Sequence, residues 1–262
     1  MEISLRRGIA EGRVTAHFQP LVDLVSGCLV GVEALARWDH PSRGPVPPSV
    51  FIPLAEDTGL IEPLGWLILE EACSQASRIA AGCEEAQWTV NVNLSPRQFR
   101  SEFLLEQVDS ILARTGLDPS RLKLEITESV LVADEGRTIA KMKSLKDRGI
   151  KLALDDFGTG YSSLSYLHAF PIDTLKIDRS FIARIEEDEG ARAIVQAILA
   201  MAFSLQIDVT AEGVETEGQA LILKLMGCGV GQGYYYSRPL SAEDFAALLA
   251  GWSTSPHMKL AA

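Results

Sequence analysis

LALDDFGTGYSS, Leu152–Ser163, is an apolar run that stops at two adjacent carboxylates, Asp155 and Asp156, and a glycine-rich turn. Ile150, Leu152, Ala153 and Leu154 give the run strand character. Two like charges at the end of such a run repel each other and need compensation, and a divalent cation is the direct one. In a parallel barrel, chemistry sits at the carboxyl ends of the strands. Successive strand residues face opposite ways, so both acids reach one site only if the chain turns there. Gly158 and Gly160 provide for such a turn.

Working outward, strand-like runs are expected at Ala16–Leu24, Leu29–Arg37, Thr89–Asn93, Leu122–Thr127, Lys151–Asp155, Thr174–Ile177, Asp208–Ala211 and Val230–Tyr234. Segments of helical period lie between most of them, including GLIEPLGWLILEEACSQASRI, FLLEQVDSILARTG, TIAKMKSLKDRG, GARAIVQAILAMAFSL, GQALILKLMG and AEDFAALLA, with a shorter SSLSYLHAF after the Asp pair. Gly116, Gly149 and Gly227 read as helix stops, and Ser241 with Asp244 as a capping pair. Strands alternating with helices over this length predict an α/β fold, a (β/α)₈ TIM-type barrel. The first two strands are separated only by Val25–Gly27, a hairpin spacing that no parallel crossover can span. One strand near the N-terminus is therefore expected to run antiparallel. The Pro-rich stretch His40–Pro53 reads as a loop and the tail WSTSPHMKLAA as frayed. With no linker, residues 1–262 read as one domain with a core over about 14–250.

Apolar residues make up 47% of the 262-residue chain and charged residues 23%, an ordinary globular balance. Nothing approaches the run of roughly 20 apolar residues a membrane span needs, and no signal-peptide core is present, so a cytoplasmic location is expected. A net charge of −11 disfavours binding to a DNA or RNA duplex, which needs a basic surface. Cys28, Cys73, Cys83 and Cys228 form no CxxC pair and read as idle thiols of a reducing compartment. His17, His40, His168 and His257 are scattered.

The other strand ends answer the question posed by the Asp pair. LVGVEALARW places Glu33 in an apolar setting with Arg37 four residues on; TVNVNLS alternates Asn91 and Asn93 with valines; LKLEITES places Glu125 between Leu124 and Ile126. TLKID carries Lys176, VTAEGVE carries Glu212 and Glu215, and GQGYYYSRP carries Gln232. Oxygen ligands converging from several strands suit Mg²⁺ or Mn²⁺ rather than zinc. Glu33, Asn93, Glu125, Asp155, Asp156 and Glu212 suffice for two ions, the arrangement that clamps an in-line phosphoryl displacement.

EALARW, NVNLS, LEITES, DDFGTGYSSLSYL, LKIDRSF, AEGVET and QGYYYSRPL, in that order, resemble the motifs of the EAL family of cyclic di-GMP phosphodiesterases, from about Phe18–Pro20 to Ser237–Leu240. His17, Thr210 and Tyr236 depart mildly from the family pattern without removing a proposed ligand. The resemblance implies a barrel with one antiparallel strand and hydrolysis of cyclic di-GMP to linear pGpG with two Mg²⁺ or Mn²⁺ ions. It implies that Glu33, Asn93, Glu125 and Asp155 hold one ion, that Asp155 bridges, and that Asp156 and Glu212 complete the second. Lys176 and Gln232 would hold the attacking water, making Lys176, Glu212, Gln232 and Glu33 the catalytic set. Gln19, Arg37, Asp156 and Pro239 would contact the nucleotide. Glu128 would brace the loop Phe157–Ser163, which in the family links metal binding to homodimerisation, and Glu215 would support the site from behind. Sensor or GGDEF domains in a longer parent protein are implied partners. The family also contains receptors that bind the nucleotide with little or no turnover, which is the alternative reading. A metal-assisted enolising enzyme, with Lys176 as base, is a third that rests on fold analogy alone.

Overall fold

The computed structural model of the chain describes residues 1–81, 88–131, 135–158 and 167–252. In chain order they form α1 (Glu2–Ala10), β1 (Val14–Asp23), β2 (Leu29–His40), β3 (Gly44–Val46), α2 (Pro48–Thr58), α3 (Ile61–Ala81), β4 (Thr89–Asn93), α4 (Pro96–Arg100), α5 (Leu104–Thr115), β5 (Leu122–Thr127), α6 (Glu135–Lys146), β6 (Lys151–Phe157), β7 (Thr174–Ile177), α7 (Arg179–Ile182), α8 (Glu189–Leu205), β8 (Asp208–Ala211), α9 (Glu217–Leu225), β9 (Val230–Gln232) and α10 (Ala242–Trp252). The strand order β1-β9-β8-β7-β6-β5-β4-β2 closes on itself through the β1–β2 pair, giving an eight-stranded barrel with β3 as an extra strand on β2. β1 runs antiparallel to both its neighbours, and the remaining barrel pairs are parallel. The expected (β/α)₈ architecture and its single antiparallel barrel strand are both present.

The hairpin that reverses β1 is built locally. Asp23 Oδ1 accepts from the backbone N–H groups of Val25 (3.2 Å) and Ser26 (2.6 Å), and Gly27 takes φ 73°. Along the parallel strands, alternation then sorts residues. Leu122, Leu124, Ile126, Leu152, Leu154, Leu175 and Ile177 are fully buried on the parity that faces the helices. The opposite parity carries Glu125, Asp155 and Lys176 into the barrel. Helix ends follow their signals: Gly116 ends α5 at φ 67°, and Asp244 N–H donates to Ser241 Oγ at 3.1 Å at the start of α10.

Some of the fold departs from expectation. His40–Pro53 is not a loop: it holds β3 and the first half of α2, because Phe51 and Ala55 are buried completely in the core. Pro48 sits in the first helical turn, where no N–H partner is required. α1 was not marked by any motif, yet it buries Leu5, and its Gly8 lies so close to Trp38 that a Cβ there would be 2.7 Å from the indole nitrogen. β2 continues to His40 and β6 to Phe157, whereas β9 stops at Gln232. There Gly233 packs under Val214, with a hypothetical Cβ only 2.1 Å from the Val214 carbonyl oxygen.

Cys28 is exposed, and Cys73 and Cys228 are buried, with burial pushing their thiols up to about 12 and about 11. Among the described residues no helix is long and apolar enough to cross a membrane. Cys83, Gly160, most of SSLSYLHAF and of the loop after Asp156, His257 and nearly all of the tail lie outside the described residues.

Candidate metal centre and its rim

Strand register assembles the site before any side chain is considered. Gln19 on β1 pairs with Glu33 on β2, Glu33 with Asn91 on β4, and Asn93 with Glu125 on β5. Thr127 pairs with Asp155 on β6, and Lys176 on β7 with Thr210 on β8. Glu212 follows β8 directly, and Gln232 closes the ring on β9, opposite Leu21. Residues far apart in sequence therefore converge at one end of the barrel, the carboxyl end of its parallel strands.

Lys176 is the hub. It is 1% exposed, and its ammonium lies 2.5 Å from Glu125 Oε2, 2.5 Å from Glu212 Oε1, 3.3 Å from Glu33 Oε2 and 3.4 Å from Asp155 Oδ1. Neutral donors hold the same acids: Asn93 donates to Glu33 at 2.6 Å, Gln232 to Glu33 at 2.6 Å, and Asn91 to Glu125 at 2.8 Å. Asn91 had no assigned role. Its inward parity, shared with Asn93, was the signal that could have found it.

Asp156 solves the problem of two adjacent acids in a different way from that expected. The turn lies in Asp156 itself, at φ 54°, within an irregular stretch of the β6–β7 ladder. Aspartate is among the few side chains that tolerate this left-handed region. The result brings ligand oxygens of Asp155, Asp156 and Glu212 within 4.8 Å of one another. Gly158 also has positive φ, and its N–H donates to Glu128 Oε1 at 3.1 Å, which ties down the start of the following loop.

Above these acids opens a cavity of about 230 Å³, lined by Gln19, Glu33, Asp155, Glu212, Glu215 and Gln232, with Leu35, Arg179, Gly213, Gly233 and Tyr234 on its walls. Glu125 and Lys176 lie beneath it, fully buried. Gln19 accepts from Gln232 at 3.0 Å and donates to Ser237 O at 3.0 Å. Gln232 Oε1 is buried without a hydrogen-bond partner among the described residues. Arg37 is half-buried and donates to Ala36 O; Pro239 is half-buried one residue before Leu240, which bridges to Phe18. Neither lines the cavity. The backbone of Glu215 is fixed by Gln219 Oε1 at 2.6 Å. Arg179 and Tyr234 also stand on the cavity wall; both lie inside quoted motifs, LKIDRSF and QGYYYSRPL, but the motif pattern alone assigns neither a role.

The electrostatics identify what the centre lacks. Burial raises Glu125 well above the carboxylate range, reinforced by Glu33. Burial likewise pushes Glu212 up to about 8, against the pull of Lys176. Asp156 is raised by burial and by Asp155. Glu33 goes the other way: burial would raise it, but Lys176, Gln232 and Asn93 together lower it. Burial would lower Lys176, yet the surrounding acids hold it well above its usual value. One ammonium faces four carboxylates, so the centre is short of positive charge. The donors are carboxylate and amide oxygens, a hard set that fits Mg²⁺ or Mn²⁺ and offers no sulfur or imidazole.

The EAL domain family model matches residues 3–239. An uncharacterized signaling protein of Caulobacter vibrioides is 46% identical over 251 residues, covering 96% of this chain and 30% of that protein. The bifunctional diguanylate cyclase/cyclic di-GMP phosphodiesterase MucR of Pseudomonas aeruginosa is 43% identical over 246 residues, covering 94% of this chain and 36% of MucR. The solved structure of the MucR phosphodiesterase in complex with c-di-GMP superposes with a TM-score of 0.89 at 42% identity, covering 93% of this chain and 98% of that one. The chain thus spans about a third of the length of these curated relatives.

Proposed function

The chain belongs to the EAL domain family, and we propose that it is a metal-dependent phosphodiesterase that hydrolyses cyclic di-GMP to linear pGpG. The observation that carries this reading is the buried Lys176 shared by Glu33, Glu125, Asp155 and Glu212, beside the Asp155–Asp156–Glu212 cluster. Glu33, Asn93, Glu125 and Asp155 would hold one divalent ion, and Asp155, Asp156 and Glu212 a second. Two such ions supply Lewis-acid polarisation of a phosphoryl group and a nucleophile available near neutral pH.

The chain's own residues do the rest. Lys176, kept protonated by its neighbours, acts as a hydrogen-bond donor that orients the attacking water rather than as a base. Gln232 Oε1, unpartnered among the described residues, would accept from that water, while its amide nitrogen donates to Glu33. Gln19, Arg37, Asp156 and Pro239 contact the nucleotide, Arg37 through phosphate. Glu128 holds the start of the loop after Asp156 through Gly158, and Glu215 supports the wall. A homodimer through that loop, a cytoplasmic setting, and sensor or GGDEF domains in a longer parent protein belong to the same reading.

The test is hydrolysis of cyclic di-GMP followed by chromatography of pGpG with Mg²⁺, Mn²⁺ and Ca²⁺, across protein concentration. Metal-dependent product supports the enzyme. Tight nucleotide binding without product under any of the three ions identifies a receptor, and a specific activity that is flat with concentration removes the dimer from the mechanism.

A further inference from the structure

We propose that Arg179 is a specificity-determining residue that reads the O6/N7 edge of one guanine of the cyclic dinucleotide; the inference rests on the phosphodiesterase reading above. Arg179 opens α7 directly after β7, and β7 lies diametrically across the eight-strand ring from β2, which carries Arg37. The two arginines therefore stand on opposite sides of the acidic mouth. The stem of Arg179 is fixed by close packing: Gly213, at φ 69°, is so near that a Cβ there would lie 2.5 Å from the Arg179 Cβ. Asp178 sets the start of the helix by accepting from Ser180 N–H at 3.0 Å. The Arg179 side chain is exposed, lines the cavity, and has no hydrogen-bond or ion-pair partner among the described residues, although Glu33, Asp155, Glu212 and Glu215 line the same cavity.

The size of the cavity decides which part of the ligand reaches it. About 230 Å³ accommodates a phosphodiester and its flanking ribose edges over the carboxylates, but not two guanosines. The bases must extend over the walls, where Arg179 and Tyr234 stand. Guanine presents two adjacent acceptors, O6 and N7, that match the guanidinium fork, the commonest base-specific contact arginine makes. Tyr234 is 52% exposed and is backed by Arg238 at 4.4 Å from its ring centroid, so a purine can stack on the remaining face.

The experiment is steady-state hydrolysis of cyclic di-GMP by the wild type, Arg179→Ala and Arg179→Lys with Mn²⁺, alongside competitive inhibition by cyclic di-AMP, which keeps the sugar–phosphate ring and lacks O6. Both variants are expected to raise KM for cyclic di-GMP about 10–100-fold, with kcat little changed and the inhibition constant of cyclic di-AMP unaltered. Lysine is not expected to restore KM, because a point charge cannot form the fork. An unchanged KM, equal weakening of both nucleotides (a phosphate contact), or full rescue by lysine would overturn the assignment. If the wild type binds without turnover, the same comparison is made on Kd. A wild type that neither binds nor hydrolyses cyclic di-GMP sinks the phosphodiesterase reading and this one together, whereas an active wild type with an indifferent Arg179→Ala variant sinks this one alone.

Discussion

Replacing Lys176 by methionine keeps the length and apolar stem of the side chain and removes one charge. That charge lies within 3.4 Å of Glu33, Glu125, Asp155 and Glu212, all at the carboxyl end of the parallel strands. Removing one partner of a buried ionic cluster costs about 3–5 kcal/mol, because the remaining charges are left without compensation. For a chain of this size each kcal/mol shifts Tm by about 2–4 °C, so the metal-free variant should melt about 6–20 °C lower. Divalent ions supply the missing charge by another route. Thermal unfolding after exhaustive dialysis against chelator, repeated with saturating Mn²⁺, should therefore show a larger metal-induced rise in the variant than in the wild type. Turnover should fall by about 100-fold or more even with metal bound, since a donor to the attacking water is gone. The destabilisation should also shrink toward pH 5, where protonation relieves the orphaned acids. An unchanged metal-free Tm, or the same Mn²⁺ shift in both proteins, would refute the claim that Lys176 and the ions neutralise the same carboxylates.

Three further outcomes are expected. Glu212 is raised to about 8 in the folded chain from an ordinary 4.5, so its contribution is fully present below about 4.5 and is lost as pH rises through 8. Metal-free protein should accordingly lose stability between pH 5 and 8, and saturating Mn²⁺ should flatten or reverse the slope by displacing the proton; a metal-free Tm that climbs over that window contradicts the assignment. Asp156→Asn keeps a residue tolerant of φ 54° and deletes a ligand charge, so Tm in chelator should hold while turnover drops about 100-fold or more, and near-wild-type turnover would remove Asp156 from the metal site. Gly233→Ala drives a methyl against Val214 N and O; overpacking of this kind costs about 1–3 kcal/mol, read as a lower urea midpoint, and an unchanged midpoint would show that the segment can yield.

What could be read in the sequence was whatever a two-residue period exposes. Glu125 between Leu124 and Ile126, and Lys176 between Leu175 and Ile177, violate an apolar pattern on one parity, and that parity faces the barrel interior. The Val25–Gly27 hairpin was legible because Asp23, Ser26 and Gly27 act on their own backbone. α2 was not, since Pro48 and Pro53 signal loop locally while the burial of Phe51 and Ala55 that overrides them is a tertiary property. α1 depends in the same way on Trp38, thirty positions from Gly8. At the site, convergence was inferred, but the sharing of one ammonium by four acids depends on barrel closure. Asp156 was expected to borrow its turn from the glycines after it and instead makes the turn itself.

The polar interior links these observations. A barrel filled by aliphatic side chains would gain more from burial than one that buries Glu33, Glu125, Asp155 and Lys176, and an ion cluster of this kind is rarely a net stabiliser. Among the described residues, the buried charged side chains gather at the carboxyl end of the strands, where one ammonium lies within 3.4 Å of four carboxylates. Without metal, the structure responds by raising Glu125, Glu212 and Asp156, so that folding favours their protonated forms. Metal must displace those protons to bind. Affinity for divalent ions should therefore rise with pH through the range near 8, and calorimetric titration with Mn²⁺ at pH 7 in buffers of different ionisation enthalpy should report net proton release. Zero release would mean that these acids are already ionised, and the stored protonation that couples metal loading to pH would not exist.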